Sequence, residues 1–276
     1  RPIMAKYIAR RTAEDVGLKI PRGEDHMHLV EMTAAQQREY AELRELLAES
    51  GGKKDATGDA HVFSIMDKMA KAALDLELLD ATAHAGAPSP KYEACAAEVA
   101  KRKADGGQVI FCESVDSHEK IAAALVKAGI PRERIGIMNA KVASSSAARQ
   151  NLSDKFNRGD IDVVIGNKVM EEGVNLQKRT SDIHHLDTPW DPATLQQRNG
   201  RGLRQGNKRE AVRLHTYLAR GSFDGYRYQS MRAKRDWMDL LWKGGDRIEN
   251  LAREGAISRD DIMIAMAADP DAAREK

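Results

Sequence analysis

Asp187-Thr188-Pro189-Trp190-Asp191-Pro192-Ala193-Thr194-Leu195-Gln196-Gln197-Arg198-Asn199-Gly200-Arg201-Gly202-Leu203-Arg204-Gln205-Gly206-Asn207 is the most informative stretch of the 276-residue chain. The apolar run Ile183–Leu186 ends just before it and Val212–Leu218 follows it, each short enough to be a strand. Between them, Pro192 starts a helix at a position where its missing N–H costs nothing. That helix is expected to run to about Leu203. Gln197, Arg201 and Arg204 are spaced by four and three residues, which puts them on one helix face. An amide and two guanidiniums projecting together suit a polyanion, because arginine offers phosphate oxygens a rigid, always-charged fork. Gly200, Gly202 and Gly206 weaken the helix and would let a partner's backbone approach closely. The plainer reading of the same residues is a solvated basic helix end.

Working outward, the same strand–helix alternation extends upstream to Lys91. A helix over about Pro90–Lys103 precedes the apolar strand Gln108–Cys112, and a helix over Asp116–Lys127 precedes a strand near Ile135–Met138. A helix from Ser145 to Asn157 leads to the strand Ile161–Ile165. Alternation over some 130 residues implies a parallel α/β sheet with helices on both faces. Before it, His28–Met32 reads as a strand, and Thr33 with Gln36 and Gln37 as a capping box for a helix to about Glu49. Glu24-Asp25-His26 reads as part of a charged loop, and Gly51–Gly58 as a polar one. A second helix, about Ala60–Leu79, places Val62, Ile65, Met66, Met69, Ala73 and Leu76 on one apolar, core-facing stripe. Ala81–Pro90 is the expected hinge. Residues 223–242 are helical again, with a smaller helical tail from Gly244. The expected division is 1–88 as brace, helical insertion and linker, 89–222 as the main lobe, and 223–276 as a helical extension.

Composition narrows the classes. Hydrophobic residues make up 42% and charged residues 31%, an ordinary globular balance. No apolar run is long enough for a bilayer and no signal peptide opens the chain, so no membrane partner is expected. Cys95 and Cys112 sit in apolar neighbourhoods without ligand spacing, which fits a reduced cytoplasmic setting. The net charge of +2 is uninformative, but Arg198, Arg201, Arg204, Lys208, Arg209 and Arg213 cluster within sixteen residues. His184 and His185 are adjacent on a strand and point to opposite faces, so no metal site is expected there. Ser144–Ser146 reads as a helix cap rather than a nucleophile. Tyr226, Tyr228, Trp237 and Trp242 read as packing residues rather than base-stacking ones.

The order Asp187, Trp190, Pro192, Gln197, Arg201, Arg204, Gly206 resembles motif VI of Swi/Snf-type superfamily-two DNA translocases, departing from the usual pattern at Asp191 and Asn207. Ile165-Gly166-Asn167-Lys168 with Glu172-Gly173-Val174-Asn175-Leu176 is similar to motif V, and Phe111 with its strand to motif IV. Ser89-Pro90-Lys91-Tyr92 resembles the entry to the second lobe, and Arg10-Arg11 through Val16 with Ile20-Pro21 resembles the brace between lobes. The tail around Asp260–Ala272 looks like the ends of large phage- and plasmid-borne methylase–helicase proteins. The resemblance implies a RecA-like helicase C-terminal lobe of an ATP-dependent double-stranded DNA translocase. It implies that Arg201 and Arg204 are the catalytic arginines, that Glu172, Gly173, Asn175 and Gln197 lie against ATP, and that Asn167, Lys168, Ser114 and Asn139 contact DNA.

The chain holds no Gly-x-x-x-x-Gly-Lys-Ser/Thr phosphate cradle, since Gly52-Lys53 lacks the rest of it, and no Asp-Glu-x-His box after an apolar strand. Phosphoryl transfer needs cradle, metal and arginine together. ATP and magnesium are therefore expected mainly on an N-terminal RecA-like lobe outside this sequence. The chain, opening at Arg1, is expected to be an excised piece that hydrolyses nothing alone. The competing expectation is a non-catalytic nucleic-acid-binding or protein-docking module that keeps the lobe fold.

Overall fold

The computed structural model describes residues 17–50, 56–171 and 173–243. Arg10–Val16, Glu172 and the tail from Gly244 lie outside the described residues. Six parallel strands form one sheet in the order β1-β6-β5-β2-β4-β3. They are β1 (Arg22–Val30), β2 (Gly107–Phe111), β3 (Ile135–Met138), β4 (Val163–Gly166), β5 (Thr180–His185) and β6 (Ala211–Ala219). The helices are α1 (Ala34–Ser50), α2 (Ala56–Leu74), α3 (Pro90–Lys101), α4 (His118–Lys127), α5 (Ser146–Arg158), α6 (Pro192–Asn199) and α7 (Phe223–Lys243). This is the parallel α/β sheet expected from the alternation, in the RecA-like arrangement that the resemblance implied.

Alternate residues of the strands face two separate cores, as a period of two requires. Ile110, Ile137, Val163 and Ile165 pack with Cys95 and Val99 of α3 and Ile121 and Leu125 of α4. On the other face, Val109, Phe111, Val164, Ile183 and Val212 pack with Phe156 of α5. A third cluster joins Tyr40, Leu43 and Leu47 of α1 to Ile65, Met66, Met69 and Ala73 of α2, and to Phe223 at the start of α7. The apolar stripe read for α2 is thus core.

Local chemistry sets the helix starts. Thr33 Oγ1 accepts from Gln36 N at 3.1 Å while Gln36 Oε1 accepts from Thr33 N at 3.0 Å, a complete capping box. Ser145 Oγ caps α5 by accepting from Ala148 N at 3.1 Å. Ser89 caps α3 with Pro90 in its first turn, and its hydroxyl also donates to Leu74 O at 2.6 Å, tying the linker to the lobe. Lys91, buried, pairs with Asp224 of α7 at 2.5 Å. α7 is thereby held to the start of α3.

Two expectations need correction. Glu24-Asp25-His26 is not loop: Arg22–Val30 pairs in parallel with Ala211–Ala219 over nine residues, from Arg22↔Ala211 to Val30↔Ala219. The segment expected as brace and linker therefore supplies the sixth strand. Its charge-rich sequence is compatible with this because β1 is an edge strand, where exposed charges discourage further pairing. The second correction concerns α6, which ends at Asn199 rather than about Leu203. Beyond it, Gly202 N and Leu203 N both return to Asn199 O, closing a tight turn.

Candidate functional site

In an open parallel sheet, ligands are met at the C-terminal ends of the strands, where successive connections leave in opposite directions. Here β2 feeds β3 on one side and β5 feeds β6 on the other, so the crevice lies between β2 and β5. The residues that follow these strands are Glu113–Ser114 and Leu186–Thr188. With Lys168, after β4, and Trp190 they line a cavity of about 810 Å³ that also reaches α2 and α7.

Around the end of β4, Asn167 is almost buried and caps a short turn by accepting from Val169 N at 3.3 Å. Its amide donates to Glu113 O at 3.4 Å. Lys168 is exposed and Ser114 half-buried, both on the cavity. Asn139 stands apart. It is buried, its Oδ1 accepts from Lys141 N and Val142 N at 2.9 Å each, and its amide meets His118 Nδ1 at 2.9 Å. That side chain shapes the turn after β3 and presents no surface to a duplex.

The expected ATP-side residues gather on a different loop. Gly173 has φ +66°, a conformation that favours glycine, so the backbone reverses there at little cost. Asn175 follows, its carbonyl held by Ser153 Oγ at 2.5 Å and Asn157 Nδ2 at 2.6 Å. Arg201 donates from Nη1 to Val174 O at 2.6 Å and from Nη2 to Glu171 O at 2.8 Å. Arg204 is exposed, and its Nη1 lies 3.3 Å from Asn175 Oδ1. Gly173, Asn175, Arg201 and Arg204 are therefore brought together. Gln197 is exposed on α6 but shares no helix face with the two arginines, because the helix stops before them.

Gly202 acts differently from expectation. A Cβ on Gly202 would lie 2.9 Å from Thr180 Cγ2 and 3.1 Å from Ile183 Cδ1, so this glycine lets the turn dock on its own sheet rather than admit a partner. Asn207 is buried and donates to Thr180 O and Gly202 O at 2.9 and 3.0 Å. Asp191 caps α6 by accepting from Thr194 N at 2.8 Å. Both positions where the sequence departs from the usual motif thus have structural work.

The basic cluster is also less available than its sequence implies. Arg213 is paired with Asp182 at 2.6 Å and with Asp105 at 2.6 Å, and Arg209 donates to Asp105 O. Arg198, read only as one member of the cluster, is 2% exposed. It donates to Glu171 Oε1 at 2.9 Å, Asp187 Oδ1 at 2.7 Å and Glu113 Oε2 at 3.3 Å, and lies 5.3 Å from the centre of the Phe111 ring. Asp187 in turn accepts from Glu113 N at 2.5 Å through its other oxygen. Burial alone would raise the Asp187 carboxyl, but the charge and hydrogen bond of Arg198 hold it below the usual range. Burial and the charge of Asp187 push Glu113 up. Sequence reasoning named Asp187 only as the start of the motif and missed Glu113 and Glu171. The available signal was position, since Glu113 and Asp187 each closely follow an apolar strand run.

Beside this cluster, the Trp190 ring is 44% exposed, with the Arg227 guanidinium 4.2 Å from its centre. His184 is buried against Tyr217 and Gln108, and His185 Nε2 meets Asn199 Oδ1 at 2.8 Å. Among the described residues no group of His, Cys, Asp and Glu could hold a metal ion, and no helix is long and apolar enough to cross a membrane.

Residues 90–206 match the family described as the helicase conserved C-terminal domain. The fold is that of the Sulfolobus solfataricus SWI2/SNF2 ATPase C-terminal domain, at TM-score 0.61 and 17% identity over 92% of this chain and 97% of that one. The same organism's SWI2/SNF2 ATPase core in complex with dsDNA aligns at TM-score 0.65 and 17% identity, over 99% of this chain and 54% of that one. The C-terminal part of the Fun30 ATPase domain aligns at TM-score 0.61 and 16% identity, over 76% and 90%. By sequence, the chain is 29% identical over 211 positions to "Defense against restriction protein B" of Escherichia phage P1, an alignment taking in 59% of this chain. The match spans only 9% of that relative's length.

Proposed function

We propose, from the match of residues 90–206 to the helicase conserved C-terminal domain family, that the chain is the second motor lobe of an ATP-dependent double-stranded DNA translocase. The observation that carries this reading is the convergence of Gly173 and Asn175, on the connection between β4 and β5, with Arg201 and Arg204, on the turn after α6. Among the described residues Arg204 meets one side-chain amide, that of Asn175, and it keeps its guanidinium in solvent, able to meet charge brought from outside. Arg201 braces the loop on which Asn175 stands. Fixed donors aimed at developing charge act without reorganisation, which is where an arginine beside a transferring phosphoryl group gains its effect.

ATP and magnesium would be held mainly by an N-terminal RecA-like lobe carrying the phosphate cradle and acidic box. Glu172, Gly173, Asn175 and Gln197 would border the nucleotide from this side. Duplex DNA is the partner we assign on the other side, through Ser114, Asn167 and Lys168. The SWI2/SNF2 core of matching fold was solved with it. Contacts to backbone phosphates position a protein but carry no sequence information. A reducing cytoplasm suits the two buried free thiols, Cys95 and Cys112, which burial pushes well above their ordinary titration range.

The carbonyl bonds of Arg201 favour one rival, a lobe that binds nucleic acid without taking part in hydrolysis. Steady-state ATP turnover separates the two. The chain alone should show none, and the same chain joined to a lobe bearing the phosphate cradle should hydrolyse ATP when duplex DNA is added. Its DNA affinity should fall with salt at a log–log slope of about −0.9 per phosphate contact. Turnover by the chain alone, or tight salt-independent binding, would refute the assignment.

A further inference from the structure

The DNA-side and nucleotide-side residues meet at one buried guanidinium. Through Glu113, Arg198 reaches the group formed by Ser114, Asn167 and Lys168: Asn167, next to Lys168, donates to Glu113 O, and Ser114 follows Glu113 in the chain. Through Glu171, Arg198 reaches the loop whose carbonyls at Glu171 and Val174 hold Arg201, and whose Asn175 meets Arg204. Asp187 closes the arrangement by bonding Arg198 with one oxygen and Glu113 N with the other. We propose that Arg198 is a positioning residue that couples the occupancy of the Ser114–Asn167–Lys168 side to the placement of Arg201 and Arg204. The inference rests on the motor-lobe reading for what the two sides bind, but not for the linkage between them.

Charge count and burial both point to a coupling element rather than a simple clamp. One guanidinium faces three carboxylates, Glu113, Glu171 and Asp187, so losing one of them still leaves Arg198 paired. The Glu171 and Asp187 arms are the shorter, at 2.9 and 2.7 Å, and the Glu171 side chain is 4% exposed. The Glu113 arm is the longest, at 3.3 Å, and its side chain is 57% exposed on the cavity. That arm can let go while Arg198 stays paired with the other two. A group with two discrete arrangements, one end of which faces each site, is what coupling between sites requires. Burial and the Asp187 charge raise the Glu113 carboxyl, which agrees with its being the weakest-held arm.

Glu113→Gln tests this without removing the buried arms, and Asp187→Asn is the stronger companion. Hydrogen exchange on the unaltered and Glu113→Gln chains needs no ATP. Amides of 173–176 should exchange about fivefold faster, with β3, in the same sheet but outside the cluster, unchanged. A change confined to 113–117, or spread equally into β3, would overturn the coupling. In the two-lobe protein, the factor by which duplex DNA raises turnover should fall about fivefold, while the rate without DNA stays within about twofold. An equal fall in both rates would assign Arg198 a purely structural role. Absence of DNA stimulation in the unaltered protein would instead refute the motor-lobe reading, and the exchange result would still decide the linkage.

Discussion

Arg198 and Arg204 lie six residues apart and have opposite fates. The first, on the buried face of α6, is 2% exposed and surrounded by three carboxylates from three different loops. The second, on the turn after α6, stands in solvent against a lone asparagine amide. Desolvating a guanidinium is costly unless its charge and donors are met within the protein. Where the fold supplies carboxylates, the arginine becomes part of the structure. Where the described residues supply none, the same side chain stays in solvent.

The largest expected effect that would break this contrast is on stability. Arg198→Ala leaves three acids around an empty centre and should destabilise the chain by about 3–5 kcal/mol. Arg204→Ala, with no buried partner to strand, should change stability by no more than about 0.5 kcal/mol. Urea unfolding of the two variants side by side reads the difference directly. Equal midpoints would show that burial does not separate the two arginines.

The buried region should also carry a pH signature. His185, packed beside Arg198, has its imidazole lowered to about 3, by burial first and then by the Arg198 charge. Burial likewise holds His26, His28 and His184 below the usual range, with the neighbouring His215 adding to it. In the unfolded chain these rings take a proton near pH 6.5. The unfolded state therefore binds more protons as pH falls, so stability is full above about pH 6.5 and lost below it. Between pH 6.5 and 5, His185 alone would account for about 2 kcal/mol. Thermal melting at pH 7.5 and 5.0 should show this loss, and His185→Gln should reduce it. A melting temperature independent of pH over that interval would contradict the buried, neutral assignment.

The sheet's centre was legible because β2, β4 and β5 are short runs that the chain must bury on both sides, and the helix starts because Thr33, Ser89, Ser145 and Asp191 cap locally. β1 was not. Its edge position tolerates Arg22, Glu24 and Asp25, which mask the strand, and its partner β6 lies nearly two hundred residues along the chain. The end of α6 was misplaced because periodicity continues through Arg201 and Arg204 although Gly200 and Gly202 close a turn. In the site, Gly173, Asn175, Arg201 and Arg204 could be named from motif spacing. The ring of acids around Arg198 could not, since its members lie 85, 27 and 11 residues away and only the fold assembles them.

The central claim is that Arg204 serves a reaction rather than the fold. Its direct test is DNA-stimulated ATP turnover by the two-lobe protein with Arg204→Ala and Arg204→Lys, measured beside thermal melting and duplex affinity. Both variants should melt and bind DNA nearly as the unaltered protein does. Turnover should fall by roughly 10³–10⁵ in the alanine variant, and nearly as far in the lysine variant, whose ammonium lacks the planar fork. Near-normal hydrolysis by Arg204→Ala, or its unfolding, would contradict the account.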